Sequence, residues 1–557
     1  MKLTRRALFA APCVVAASLA ASEAQALDVE LSATTAGQSY DVGSPWGYRL
    51  ERRRLLQTVG FSMYHLQGDH APGEPDYNLR LLGRIDADFG IGNHLDGTIA
   101  DAETSFDVAG GSRFVPGLAI ARFDLMYAYI EGKNLADGWF GFRAGRQYVT
   151  DALGWWSFDG GLVRLTTPFY VDVELYGGLE QRGGLPLSTH RFESQGVWRG
   201  SHSGFDEEGG PRSSDYPSYQ FAAEAPAFGA AIESAGPNWL HARLTYRRVY
   251  NTGEAFAGAF PLAGTTGYRT VDGLRLSSER VGWAGYVNKT DLGGLKGGFA
   301  YDVYNATFSN AYGGLEVYAG PRVTVGADAD HYKPTFDADS IFNWFSHEPN
   351  TTATGRVAVR ITKEIDVAGS GGARLWATQG DPDELGEIGC RAINLPADCA
   401  GESYVDPNRP GVIDPTAPGA PQDARLAEAS RAEENRGTSY LIDGLGQLVG
   451  RYLSTRGSVE LRSMLQIGER GHRAGGDAGG EIFFDGKRYA LGGRLSVYDF
   501  TDPRADANHT TSFGYVVGGG YKPIDITRIG AEWEHDMNER VGHRFRVMGR
   551  LDVLWVR

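Results

Sequence analysis

Beyond its first few dozen residues the chain breaks into stretches of about 8–14 residues in which apolar and polar side chains alternate. In the last stretch Phe545, Val547, Gly549, Leu551, Val553 and Trp555 share one face, and Arg544, Arg546, Met548, Arg550 and Asp552 share the other. The same division separates Val171, Val173 and Leu175 from Asp172, Glu174 and Tyr176, and Leu240, Ala242 and Leu244 from His241, Arg243 and Arg247. It recurs where Val459, Leu461 and Leu465 oppose Glu460, Arg462 and Gln466. A period of two means strands whose two faces meet different surroundings.

Two folds satisfy that demand. In a soluble sandwich or propeller the apolar face is core and the charged face meets water. In a transmembrane barrel the apolar face meets lipid and the charged face lines a wet lumen. Strand length favours the barrel: a tilted membrane strand needs about 9–11 residues, whereas ordinary strands run about 5–6. Aromatic residues near strand ends (Trp139, Phe140, Trp239, Tyr498, Phe500 and Trp555) suit interfacial girdles. The 77 Gly and 64 aromatics among 557 residues fit β structure rich in turns, and the hydrophobic content of 42% excludes a disordered chain.

Residues 1–26 read as an export signal. Lys2, Arg5 and Arg6 form a basic start, residues 7–20 are weakly apolar, and Ala24-Gln25-Ala26 offers a small-x-small cleavage site. Cleavage there leaves 531 residues with a formal charge of −17, against −15 for the whole chain. That acidity argues against nucleic acid as a partner, because phosphate binding needs clustered Lys and Arg. The two remaining cysteines, Cys390 and Cys399, read as a local disulfide in an exported protein.

Links alternate in length along the chain. Those assigned to the outside are 90–117, 182–216, 251–270, 346–352, 380–437, 469–479 and 502–510; short turns at 166–168, 234–237, 319–321 and 454–457 are assigned to the periplasmic side. Residues 222–232, interrupted by Pro226, read as a poor strand, and 536–540 as an unusually short outer link. The expectation is an all-β chain forming a single antiparallel transmembrane barrel over 27–557, of about 22 strands and an even number between roughly 18 and 24. Such a barrel resides in outer-membrane lipid and depends on the barrel-assembly machinery for insertion.

Residues 141–178 contain Gly141-Phe142-Arg143-Ala144-Gly145-Arg146-Gln147, then Phe158-Asp159-Gly160-Gly161, then Glu174-Leu175-Tyr176-Gly177-Gly178. This resembles the Gly-Arg-Gln strand and following Phe-Asp-Gly strand of alginate-export-type and related porin-like outer-membrane barrels, and implies a porin-like barrel. Strict alternation turns Arg143 and Gln147 inward and Arg146 outward, unless Gly145 makes a bulge. The chain end departs from the usual barrel signal, since Trp555 is followed by Val556 and Arg557.

The polar faces place Arg84, Asp86, Arg122, Asp124, Arg143, Asp172, Glu174, Arg243, Arg247, Glu460, Arg462, Arg494, Arg546 and Arg550 inward as pore-lining candidates, with Asp302 and Asp552 beside them. Mixed charges suit either guidance of small hydrophilic solutes or cross-strand Arg–carboxylate pairs that brace the wall. The 380–437 insertion is a candidate constriction, cap or surface decoration. Its carboxylates and Asp206-Glu207-Glu208 lack the spacing of a Ca²⁺ loop, and residues 334–345 form an unusually aromatic connection. No motif for a nucleophile elbow, a zinc protease or a phosphate-binding loop occurs, so no catalytic, cofactor or metal residue is assigned. The expected function is a passive channel for hydrophilic solutes. A closed barrel anchoring surface material or partner proteins is the rival reading, and a barrel hydrolase a weaker one.

Overall fold

A computed structural model of the chain describes residues 28–43, 49–68, 71–88, 122–181, 225–252, 255–257, 269–271, 274–304, 306–335, 349–379, 438–501, 509–539 and 542–557. The signal segment, Cys390 and Cys399, the 380–437 insertion, Asp206-Glu207-Glu208 and most of 334–345 lie outside the described residues.

The first nine strands are β1 (Asp28–Gly43), β2 (Arg49–Tyr64), β3 (Asp76–Asp88), β4 (Arg122–Leu135), β5 (Phe140–Asp151), β6 (Gly154–Thr166), β7 (Val171–Glu180), β8 (Pro226–Ser234) and β9 (Leu240–Asn251). A small separate hairpin follows, made of β10 (Ala255–Ala257) and β11 (Arg269–Val271). Then come β12 (Arg275–Lys289), β13 (Gly293–Asp302), β14 (Thr307–Tyr318), β15 (Val323–Tyr332), β16 (Asn350–Arg360), β17 (Ile365–Gln379) and β18 (Thr438–Ser454). The last are β19 (Gly457–Gly468), β20 (Gly471–Phe484), β21 (Tyr489–Thr501), β22 (His509–Ile524), β23 (Thr527–Asn538) and β24 (Gly542–Val556).

Apart from β10 and β11, each strand pairs antiparallel with its neighbours in sequence, β9 pairing next with β12. β1 also pairs with β24, from Glu30↔Val556 to Tyr40↔Arg546, so 22 strands close into one barrel in which every strand has a partner on each side. With strands about 4.8 Å apart and tilted by about 40°, the barrel is roughly 40 Å across.

Asp28, where β1 begins, and the C-terminal Arg557 lie at one end of the barrel. Most links there are tight: 136–139, 167–170, 235–239, 290–292, 319–322, 361–364, 455–456, 485–488 and 525–526. The long links leave from the other end. Trp139, Phe169, Tyr170 and Trp239 stand exposed in the tight turns and form an aromatic rim at the end that holds Asp28 and Arg557.

Three local expectations are corrected. Residues 471–479 are not an outer loop but half of β20; their Gly475 and Gly476 occur because an added Cβ would strike the carbonyls of Val497 and Arg462 at 2.2 and 2.5 Å. Residues 226–234 form a regular strand, because Pro226 is its first residue, where no ladder hydrogen bond is lost. Tyr498 is not part of a girdle: its hydroxyl donates to Asp477 on the polar face, and Phe500 shares that register.

Candidate functional site

The pairing register carries one polar row around the ring. It runs through Arg84↔Asp124 and Asp86↔Arg122, then Glu131↔Arg143, Arg164↔Glu174, Asp172↔Glu233 and Glu233↔Arg243. It continues through Arg247↔Arg280 and Arg280↔Asp302, and later through Arg451↔Glu460, Arg462↔Asp477 and Glu534↔Arg546. Arg494 and Arg550 face Gly479 and Gly530 in the same row. Eleven of the 14 candidates chosen from the sequence have described side chains and share this register; the side chains of Asp86, Arg122 and Asp124 lie outside the described ones. The alternate row is exposed and apolar, with Leu175, Ile232, Leu244, Leu465, Val517 and Leu551 among its members.

Contacts that skip strands show which row faces inward. Arg247 Nη2 on β9 donates to both carboxylate oxygens of Asp151 on β5, at 3.0 and 3.2 Å, although β6, β7 and β8 lie between. Leu153, in the turn between β5 and β6, lies against Gly282 on β12, where an added Cβ would meet Leu153 Cδ2 at 2.7 Å. Only the concave side of a barrel allows such reach. The polar row therefore lines the lumen, and the apolar row faces the surroundings.

Toward the end that holds Asp28 and Arg557, the lumen wall of β4–β9 carries a chain of ion pairs. Arg164 Nε donates to Asp172 at 3.0 Å and Nη1 to Glu174 at 3.4 Å. Glu174 also accepts from Arg243, whose Nη1 donates to Glu233 at 2.7 Å. Glu131 accepts from Arg143 at 2.9 Å and pairs with Lys133 at 2.8 Å. Glu131, Lys133, Arg143, Arg164, Glu174 and Arg243 border a recess of about 510 Å³. Glu131, Asp172 and Glu174 are buried, so each needs its cationic partner.

The other half of this sector leaves the wall. Gln147 Nε2 donates to the carbonyl of Arg143 (3.4 Å), and Arg143 Nη1 donates to that of Tyr148 (3.4 Å). Residues four apart in a straight strand are about 13 Å apart, so β5 is bent here. The bend falls on a row of glycines, Gly145↔Gly160↔Gly178. Gly145 has φ +124°, and an added Cβ on Gly160 or Gly178 would come within 2.0 Å of a facing carbonyl. Above that row the β5–β6 hairpin turns into the lumen, and its tip is held by Asp151–Arg247 and by Leu153 against Gly282. Behind it Val149, Trp156, Phe158, Leu162, Tyr176 and Val249 form a buried apolar cluster on the inner face. Trp156 stacks on Phe158 at 4.3 Å, donates Nε1 to Glu180 at 2.9 Å and lies 4.9 Å under the Arg247 guanidinium.

The motif that resembles porin-like barrels pairs residue by residue at this bend: Gly145↔Gly160, Arg146↔Asp159 and Gln147↔Phe158. Arg146 belongs to the outer row with no bulge against β6, and holds Asp159 through Nε and Nη2 at 2.7 and 2.8 Å. The inner face of β18–β24 is built differently. Glu460 accepts from Arg451 (2.7 Å) and Arg462 (2.8 Å), and Arg550 donates to Asp552 (2.8 Å), all in exposed positions. Among the described residues no three of His, Cys, Asp and Glu stand together as metal ligands would.

Sequence reasoning missed Asp151, Arg164, Glu131, Lys133 and Glu233. Arg164 and Glu131 each sit between apolar neighbours in an alternating stretch, which was a usable signal. Asp151 ends β5 and meets Arg247 96 residues away, with no local signal.

No protein-family model matches the sequence, and no curated protein matches it. Solved structures do. Acinetobacter baumannii OccAB3 aligns at 9% identity and a TM-score of 0.37, covering 95% of this chain and 99% of that one. Pseudomonas aeruginosa OccK1 (OpdK) gives the same identity, TM-score and coverage. Pseudomonas aeruginosa OccD3 (OpdP) gives 8% and 0.38, covering 96% of this chain and 93% of that one. At these values the likeness is one of extent only, and the barrel here is established by its own closed strand pairing.

Proposed function

We propose that the chain is an outer-membrane channel through which small hydrophilic solutes pass down their gradients. The observation that carries this reading is the division of one closed sheet into an exposed apolar outer row and a charged inner row. An apolar exterior is stable only against lipid, and paired charges facing inward require water or one another. A barrel of this width would leave a broad lumen, and the infolded β5–β6 hairpin occupies part of it. Selectivity then comes from the inner Arg and carboxylate groups, with the β4–β9 recess as the point of closest approach between solute and wall. The resemblance to alginate-export-type barrels supports this architecture without naming a cargo.

The test is swelling of liposomes into which the chain from Leu27 onward has been refolded. Swelling in small sugars that slows with solute size supports a water-filled channel. Liposomes that contain folded, heat-modifiable barrels and do not swell favour the closed, anchoring barrel instead.

A further inference from the structure

The inward bend of β5 leaves a slot in the wall beside it. β4 pairs with β5 only as far as Ala128↔Arg146. Beyond that point residues 122–127 stay with β3 and residues 147–151 stay with β6, and among the described residues no backbone pair joins the two segments. Five residues of strand give a slot about 17 Å long. It lies in the half of the barrel away from Asp28 and Arg557.

Two contacts span the slot. Tyr127 belongs to the inner row with Tyr129 and Glu131, and Tyr148 to the outer row with Arg146, yet their ring centroids are 5.7 Å apart. Across two paired strands the sheet itself would separate them. Arg146, from the outer row, donates Nη1 to the main-chain carbonyl of Leu125 at 2.9 Å, where a ladder hydrogen bond would otherwise lie. Side chains can rotate aside without breaking the sheet, whereas ladder hydrogen bonds cannot. The lining is aromatic: Tyr127 on one edge with Tyr129 at its closed base, and Tyr148 stacked on Trp155 at 6.0 Å on the other.

We propose that this slot is a lateral portal connecting the lumen with the lipid of the outer leaflet, and that it passes apolar and single-chain amphiphilic molecules. The aromatic edges supply a surface of low polarity, the tyrosine hydroxyls mark the position for a polar head, and the Arg146 side chain, reaching across to the Leu125 carbonyl, narrows the slot. The portal rests on the membrane reading above but not on passage of hydrophilic solutes.

The test uses oleate uptake by Gram-negative cells that lack their own fatty-acid channel and express this chain. Tyr127→Cys and Tyr148→Cys are combined in a background with Cys390→Ser and Cys399→Ser, and bridged with a short bis-maleimide; bilayer conductance is recorded on the same protein. The expected result is oleate uptake well above the vector control, loss of most of it on bridging, and unchanged conductance. Arg146→Ala, checked for folding by heat-modifiable migration, should raise uptake several-fold. Uptake no better than the vector control, uptake that survives bridging, or uptake and conductance lost together would each overturn the portal. A barrel that takes up oleate but conducts nothing would count against the hydrophilic channel and leave the portal standing.

Discussion

The inner faces of β5–β9 and β19–β24 are made from the same residues, arginines opposite carboxylates on alternate positions, and behave in opposite ways. In the first sector the side chains of Asp151, Glu174 and Arg247 are 0, 9 and 9% exposed; in the second those of Glu460 and Arg550 are 38 and 57% exposed. Composition does not separate them. What does is a row of three glycines that lets one hairpin bend inward and cover its neighbours. A lumen charge is therefore a strut or a solute contact according to what folds over it, and its identity alone does not decide.

Substitutions that divide the two sectors should follow that order. Gly160→Val would bring a Cβ to 2.0 Å from the carbonyl oxygen of Gly177, and should cost about 3 kcal/mol or more, enough to abolish heat-modifiable migration. Gly549→Val on β24 meets nothing within 4 Å and should migrate as the parent does. Asp151→Asn leaves the Arg247 guanidinium buried without its anion, which should cost about 3–5 kcal/mol in urea unfolding and raise single-channel conductance as the hairpin tip loosens. Arg462→Ala, in the exposed sector, should cost about 1 kcal/mol or less by the same measurement. Equal losses from Asp151→Asn and Arg462→Ala would erase the distinction.

Selectivity should divide less sharply. Arg243→Gln leaves Glu233 without its arginine and Glu174 with Arg164 alone, and should shift reversal potentials toward cations. Arg550→Gln leaves Asp552 with less compensation in open water, and should produce a smaller shift of the same sign without loss of stability.

Much of this architecture was legible in the chain. Alternation placed Arg247 and Glu460 on the same inner row, and link lengths gave the strand number and the end at which long connections leave. The infolding was not legible, because Asp151 and Arg247 meet across three intervening strands and period two says only which face a residue takes. Glycine misled in β20, where Gly475 and Gly476 mark close strand approach, and informed only in retrospect at Gly145, Gly160 and Gly178, whose alignment depends on register. Pro226 argued against a strand that it in fact begins.

The central claim, a water-filled channel lined by the inner charged row, is tested most directly by refolding the chain from Leu27 onward into planar bilayers and recording single channels. The expected result is discrete conductance steps with a measurable ion preference that moves toward cations in Arg243→Gln. Folded, inserted barrels that remain electrically silent would contradict it.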